Sequence, residues 1–140
     1  MFLHVLSISA WLGAALWVAG DVKRTLALGR PHTDALAARL RAQLGLDALA
    51  GIATLVTGLL LMWEGGMGHP PPGISAGIVL TLARLGVLAA TRGATRRIFA
   101  RLGAGETVAA DDPAARRVAM LSGVAHTLWL LALAGMVFPV

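Results

Sequence analysis

Four long apolar stretches constrain this chain more than any other feature: about 2–20, 44–63, 74–90 and 118–138. A helix needs about 20 mostly apolar residues to cross a bilayer, with about 17 at the lower limit. Lipid offers no partners to backbone polar groups, so a spanning segment must be a helix or part of a closed barrel. With 57% hydrophobic and only 14% charged residues, the 140-residue chain lacks the charged surface of a water-soluble domain. The expectation is an all-α fold: one integral-membrane domain, residues 1–140, built as a four-helix transmembrane bundle with the lipid bilayer as its lateral partner.

The basic residues fall in two places. Lys23, Arg24, Arg30, Arg39 and Arg41 lie between the first and second stretches, and Arg92, Arg96, Arg97, Arg101, Arg116 and Arg117 between the third and fourth. The connection "EGGMGHPPPG" has neither Lys nor Arg. The positive-inside rule puts both basic connections in the cytoplasm and both termini on the outer, periplasmic side of a bacterial inner membrane. This distribution accounts for the +5 net charge without a nucleic-acid partner. Lys23 and Arg24 follow the first apolar stretch, whereas a cleaved signal peptide carries its charge before it, so a retained first helix is expected. The absence of cysteine excludes disulfides, thiolate metal sites, iron–sulfur clusters and covalently attached c-type haem. Histidine, methionine and carboxylate remain as ligands.

Helix ends are marked unevenly. In "PHTDALAARLRAQL", Thr33 is the expected N-cap of a second helix that begins well below the bilayer. In "ADDPAARRVAM", Asp112 caps and Pro113 opens the fourth helix. "GHPPPG" stops any helix and makes a rigid turn, while "RLGAGETVAADDP" is expected to be flexible.

Within lipid, small residues mark packed faces. Residues spaced by three and four give one such stripe per helix: His4, Ser7, Trp11, Ala14, Val18 and Asp21 on the first; Asp47, Gly51, Thr54 and Gly58 on the second. The third carries Gly77, Thr81, Arg84, Leu88 and Thr91, and the fourth Ala119, Ser122, His126, Leu130 and Leu133. Every stripe contains an ionisable residue, which predicts a polar interior. At a rise of about 1.5 Å per residue, Arg84 and His126 lie roughly 10–12 Å from the cytoplasmic boundary and Asp47 roughly 5 Å from it. An intramembrane Arg costs at least ~2.5 kcal/mol unless paired or snorkelling. Arg84 therefore snorkels, pairs with Asp47, or holds an acidic ligand group such as a propionate. His126, one turn before Trp129, is either a haem ligand or proton relay, or a neutral imidazole bonded to a neighbouring hydroxyl.

A second polar group lies at the outer surface. Met67 and His69 sit two apart on the outer turn, level with Met1 and His4. Thioether and imidazole suit copper, Cu(I) above all. His4 is alternatively an interfacial residue facing headgroups. His4 and His126 are roughly 14 Å apart in depth, which excludes a single haem iron held by both.

The stretch "LHVLSISAWLGAALW", with Leu3, His4, Trp11 and Gly13, resembles the first helix of the CopD/HemJ-like group of small membrane proteins: copper-resistance D-type domains and the HemJ-type protoporphyrinogen oxidase. "ATLVTGLLLMW" is similar to their second helix, and "TRGATRRIFARLG" to the basic segment after their third. The resemblance implies haem b binding at His4. Where those proteins have a functional Lys on the third helix, the nearest residue here is Arg84. Arg cannot give up its proton as Lys can.

The leading expectation is a haem b- or porphyrin-binding membrane protein with a redox or electron-transfer role. His4 or His126 would be the axial ligand, with Trp11, Asp47 and Arg84 around the cofactor and a redox partner in the membrane. The alternatives are a periplasm-facing copper binder or transport component using Met1, His4, Met67 and His69, and a cofactor-free accessory subunit of a larger membrane complex.

Overall fold

A computed structural model describes residues 1–66 and 68–138. Helix α1 (Phe2–Leu16) runs into α2 (Val18–Leu28), with Trp17 as the joint between them. A 3-10 turn at His32–Ala35 leads to α3 (Leu36–Glu64), followed by α4 (Pro72–Gly103) and α5 (Pro113–Val137). There is no strand among the described residues. Four segments are long and apolar enough to cross a membrane: Phe2–Leu28, His32–Glu64, Pro72–Gly103 and Pro113–Val137. The expected all-α, four-span membrane architecture is therefore present.

The helices outrun the apolar stretches. At about 1.5 Å per residue, the 29 residues of α3 and the 32 of α4 exceed the roughly 30 Å hydrocarbon thickness, and most of the excess lies on the arginine-rich side. That side is called the basic end here. The opposite, turn end carries the α3–α4 connection, the start of α1 and the end of α5.

Asp112 caps α5 as expected. Its Oδ1 accepts the Ala114 N–H at 2.8 Å, and Pro113 occupies the first turn, where a missing N–H costs nothing. Thr33 does not cap α3. It sits inside the 3-10 turn, and α3 starts from Ala35 without a side-chain cap, so the chain enters the helix through the tighter turn. The segment after α4 is pinned rather than loose: Arg101 pairs with both Glu106 and Asp112, and Val108 is buried.

Packing is uneven along the bundle. At the basic end Val18, Val22, Leu36, Leu40, Ile98 and Val118 form a close apolar core. In the middle, Trp11, Ala50 and Trp129 make a second layer. At the turn end a cavity opens between the helices. The α4–α5 and α1–α3 contacts are the most extensive in the bundle. The first of these needs glycine: a Cβ at Gly135 would stand 2.7 Å from the Gly73 carbonyl oxygen.

The expected inward faces of the first three spans are found, with Trp11, Asp47, Gly51, Thr54, Gly77, Thr81, Arg84, Leu88 and Thr91 all buried. On α5 the inward face is turned by one position. Ala115, Val118, Ser122, Ala125, Trp129 and Ala132 are buried, while Ala119 and Leu130 face outward. A stripe drawn through His126 misses the small residues Ala125 and Ala132, which let α4 approach. Leu46, Leu49, Ile52, Val56 and Leu60 occupy the exposed side of α3, opposite Asp47 and Thr54. Polar inside and apolar outside is the arrangement a lipid solvent favours.

Candidate functional site

The residues expected to hold a cofactor divide into two groups at different depths. His4 stands at the turn end, where α1 lies along α3. Its Nδ1 is 2.9 Å from Thr57 Oγ1. The Thr57 hydroxyl directs its own hydrogen to the Ala53 carbonyl at 2.6 Å, so its oxygen accepts from His4 and Nδ1 carries the imidazole proton. Nε2 is left with a free lone pair. The ring rests on Gly58, where a Cβ would come within 3.0 Å of His4 Cε1. An imidazole whose Nδ1–H is fixed by an oxygen and whose Nε2 is free has the arrangement of a metal-ligating histidine.

His4 lines a cavity of about 420 Å³ between the helices. Leu55, Leu59, Ile74 and Ile78 make its walls apolar, Thr54 and Thr81 lie on its inner side, and Met1, Met62 and Met136 contribute thioethers. The volume lies within the range of small-molecule and cofactor sites, which are mostly apolar with a few placed polar groups.

The second group lies deeper. Arg84 is 2% exposed, and its Nη2 stands 3.0 Å from Asp47 Oδ1. The contact is an ion pair without hydrogen-bond alignment. The guanidinium donates instead through Nε to the Ala125 carbonyl (3.2 Å) and through Nη2 to the Trp11 carbonyl (3.4 Å). Its Cζ lies 3.9 Å from the centroid of the Trp11 ring, a desolvated cation–π contact. Trp11 in turn needs Gly51, where a Cβ would fall 2.8 Å from the indole. Thus Arg84 does not snorkel, and its acidic partner is Asp47. His126 follows Ala125, the acceptor of the Arg84 Nε–H, on the same turn of α5.

This deeper cluster is unfinished as a hydrogen-bond network. Trp11 Nε1, Asp47 Oδ1, Thr54 Oγ1, Arg84 Nη1 and His126 Nε2 are buried without a hydrogen-bond partner, although Asp47 Oδ1 keeps its ion-pair contact with Arg84. Each such atom costs about 1–3 kcal/mol unless something completes it. Two supply donors and Asp47 an acceptor, so a species that both donates and accepts, such as water, fits this set.

Asp47 and Arg84 therefore form an internal ion pair covered by Trp11, and neither these three nor His126 line the His4 cavity. His4 lies beside Thr57, while His126 adjoins Ala125, which binds Arg84, the partner of Asp47 ten residues from Thr57 on α3 or about 15 Å along its axis. His69 is exposed on the turn, and Met67 lies outside the described residues. Among the described residues, no three His, Asp or Glu side chains come together as a metal-binding set. Sequence reasoning missed Thr57, Met62 and Met136. Thr57 adjoins the Gly58 of the α3 stripe, so that pair was within reach; nothing local marks the two methionines.

No protein family, curated protein or solved structure matches the chain.

Proposed function

We propose that this is a multi-pass membrane protein that holds a haem b- or porphyrin-like cofactor in the turn-end cavity, with His4 as axial ligand and a role in electron transfer. The observation that carries the reading is the His4 imidazole, held by Thr57 at Nδ1 and lining an apolar cavity. When bound, such a group supplies a one-electron couple whose potential depends on the axial ligand, nearby charge and burial. The chain's own part is to fix the imidazole tautomer through Thr57, seat the ring on Gly58, and exclude water with the leucines and isoleucines. Arg84 belongs to this reading at a distance: it braces α1, α3 and α5 below the cavity. We place the turn end on the periplasmic face of a bacterial inner membrane, because the arginines lie at the other end.

A visible spectrum of protein purified from haem-replete cells, oxidised and then reduced with dithionite, tests the proposal. Soret and α bands are expected in the wild type, absent from His4→Ala and retained in His126→Ala. A flat wild-type spectrum would overturn it.

The thioethers favour a second reading. Met1, Met62 and Met136 share the cavity with His4, a donor set suited to Cu(I). Stoichiometric Cu(I) lost in Met62→Leu/Met136→Leu, together with a flat haem spectrum, would select it. His69 is not on the cavity, so the copper site of this reading is the cavity itself. A protein that binds neither cofactor and purifies with partner chains would instead be an accessory subunit.

A further inference from the structure

Clefts indent the basic end, and four of them differ in charge. The first contains Arg24 and Arg39 but also Asp21, which pairs with Arg39 at 3.1 Å. The second sets Arg30 beside Asp34, and the third sets Arg97, Arg101 and Arg117 beside Asp112. The fourth, about 390 Å³ between α3 and α4, is lined by Arg41, Leu44, Arg92, Thr95, Arg96 and Phe99. It has three guanidinium groups and no carboxylate. None of the three has an acidic partner among the described residues.

Two of these arginines are held by one N–H each. Arg92 Nη2 donates to the Leu44 carbonyl at 3.0 Å, and Arg41 Nε to the Ala37 carbonyl at 3.1 Å. A guanidinium has five N–H donors, so both remain largely free while their stems are restrained. Such preorganisation lowers the cost of binding an oxyanion, and planar guanidinium groups match phosphate bidentately. Leu44 and Arg92 mark the points where the apolar stretches of α3 and α4 meet the basic end, so the cleft sits at headgroup depth. Phe99 adds partly exposed apolar surface beside the charges, while Leu44 is buried at the floor.

We infer that this cleft is a specific site for an anionic phospholipid, with Arg41, Arg92 and Arg96 on the headgroup phosphate and the acyl chains running along the exposed Leu49 and Ile52 of α3. The arrangement fits a lipid better than a soluble phosphate, because apolar surface continues from the cleft into the membrane-facing sides of α3 and α4. Basic pockets between helices on the cytoplasmic side take anionic headgroups in this way.

The test is native mass spectrometry on delipidated protein in neutral detergent, titrated with phosphatidylglycerol, phosphatidylcholine or inorganic phosphate. Phosphatidylglycerol is expected to bind in preference to phosphatidylcholine, and the preference to weaken with salt. Each arginine removed should cost about fivefold in affinity, so Arg41→Gln/Arg96→Gln should lose most of the preference. Both residues are exposed, and an unchanged melting temperature will show that the variant is folded. The control pair Arg24→Gln/Arg117→Gln, drawn from other clefts, should keep the preference. An equal loss in the control would mean a diffuse basic collar and would overturn the inference. Displacement of the lipid by inorganic phosphate at similar concentration would also overturn it, in favour of a soluble anion.

Discussion

At the scale of the residue, the structure turns on a few side chains whose position depends on a missing Cβ. Trp11 lies against Gly51 and His4 against Gly58, two turns apart on one face of α3. Gly51→Ala forces its methyl into both the indole and Leu85 (2.9 Å), and is expected to destabilise by about 1–3 kcal/mol in a detergent unfolding titration. Stability equal to wild type would show that Trp11 has room to move. The Asp47–Arg84 pair makes a sharper prediction. Removing one partner leaves an uncompensated buried charge, so Asp47→Leu or Arg84→Leu alone should cost about 3–5 kcal/mol. The double variant Asp47→Leu/Arg84→Leu should cost clearly less than the sum, and strict additivity would refute the coupling. Both residues were legible in the sequence because charge on a stripe of small residues is conspicuous in an apolar helix. The alternative partner of Arg84, an acidic ligand, was not separable from Asp47 there, because helix periodicity fixes a face and not what stands across from it.

At the scale of the element, capping and rotation account for what was and was not readable. The Asp112–Pro113 start of α5 follows from local chemistry alone and is present as expected. The Asp112 carboxyl is held below its ordinary range, first by the Ala114 N–H and then by Arg101. A carboxylate with a lowered folded-state pKa stabilises fully above its unfolded value, and loses that contribution as pH falls through the lowered one. Asp112→Asn keeps a capping oxygen but loses the charge. Its stability deficit relative to wild type should be largest at neutral pH and vanish in acid, below the usual carboxylate range. A deficit constant with pH would contradict the charge argument. The start of α3 was misread because Thr33 has the right chemistry for a cap, yet the 3-10 turn places it within the helical entry. The face of α5 was misread by about 100° because His126 drew the stripe away from the small residues that pack. Similarly, Thr57 escaped notice because an α1–α3 pairing decides its role, and that pairing is tertiary.

At the scale of the whole molecule, the bundle is closed at one end and open at the other. A close apolar core fills the basic end, an internal ion pair crosses the middle, and a cavity with one oriented imidazole occupies the turn end. The four spans were legible from length and hydropathy, whereas the division of the polar residues into two depths needed the helix registers. The chain has no cysteine, so single introduced thiols report topology cleanly. His69→Cys is expected to react with an impermeant maleimide in intact spheroplasts, and Ala104→Cys only after the membrane is opened; the reverse pattern would invert the orientation proposed from the arginines. The proposal as a whole rests on His4, held by Thr57 on the cavity wall, acting as the ligand. The most direct measurement is the visible spectrum of His4→Gly, purified with and without added imidazole. Bands absent from the variant and restored by imidazole are the predicted result, because the small ligand can occupy the space the side chain leaves. Bands that persist in His4→Gly without imidazole would contradict the account, since the axial ligand would then be another residue.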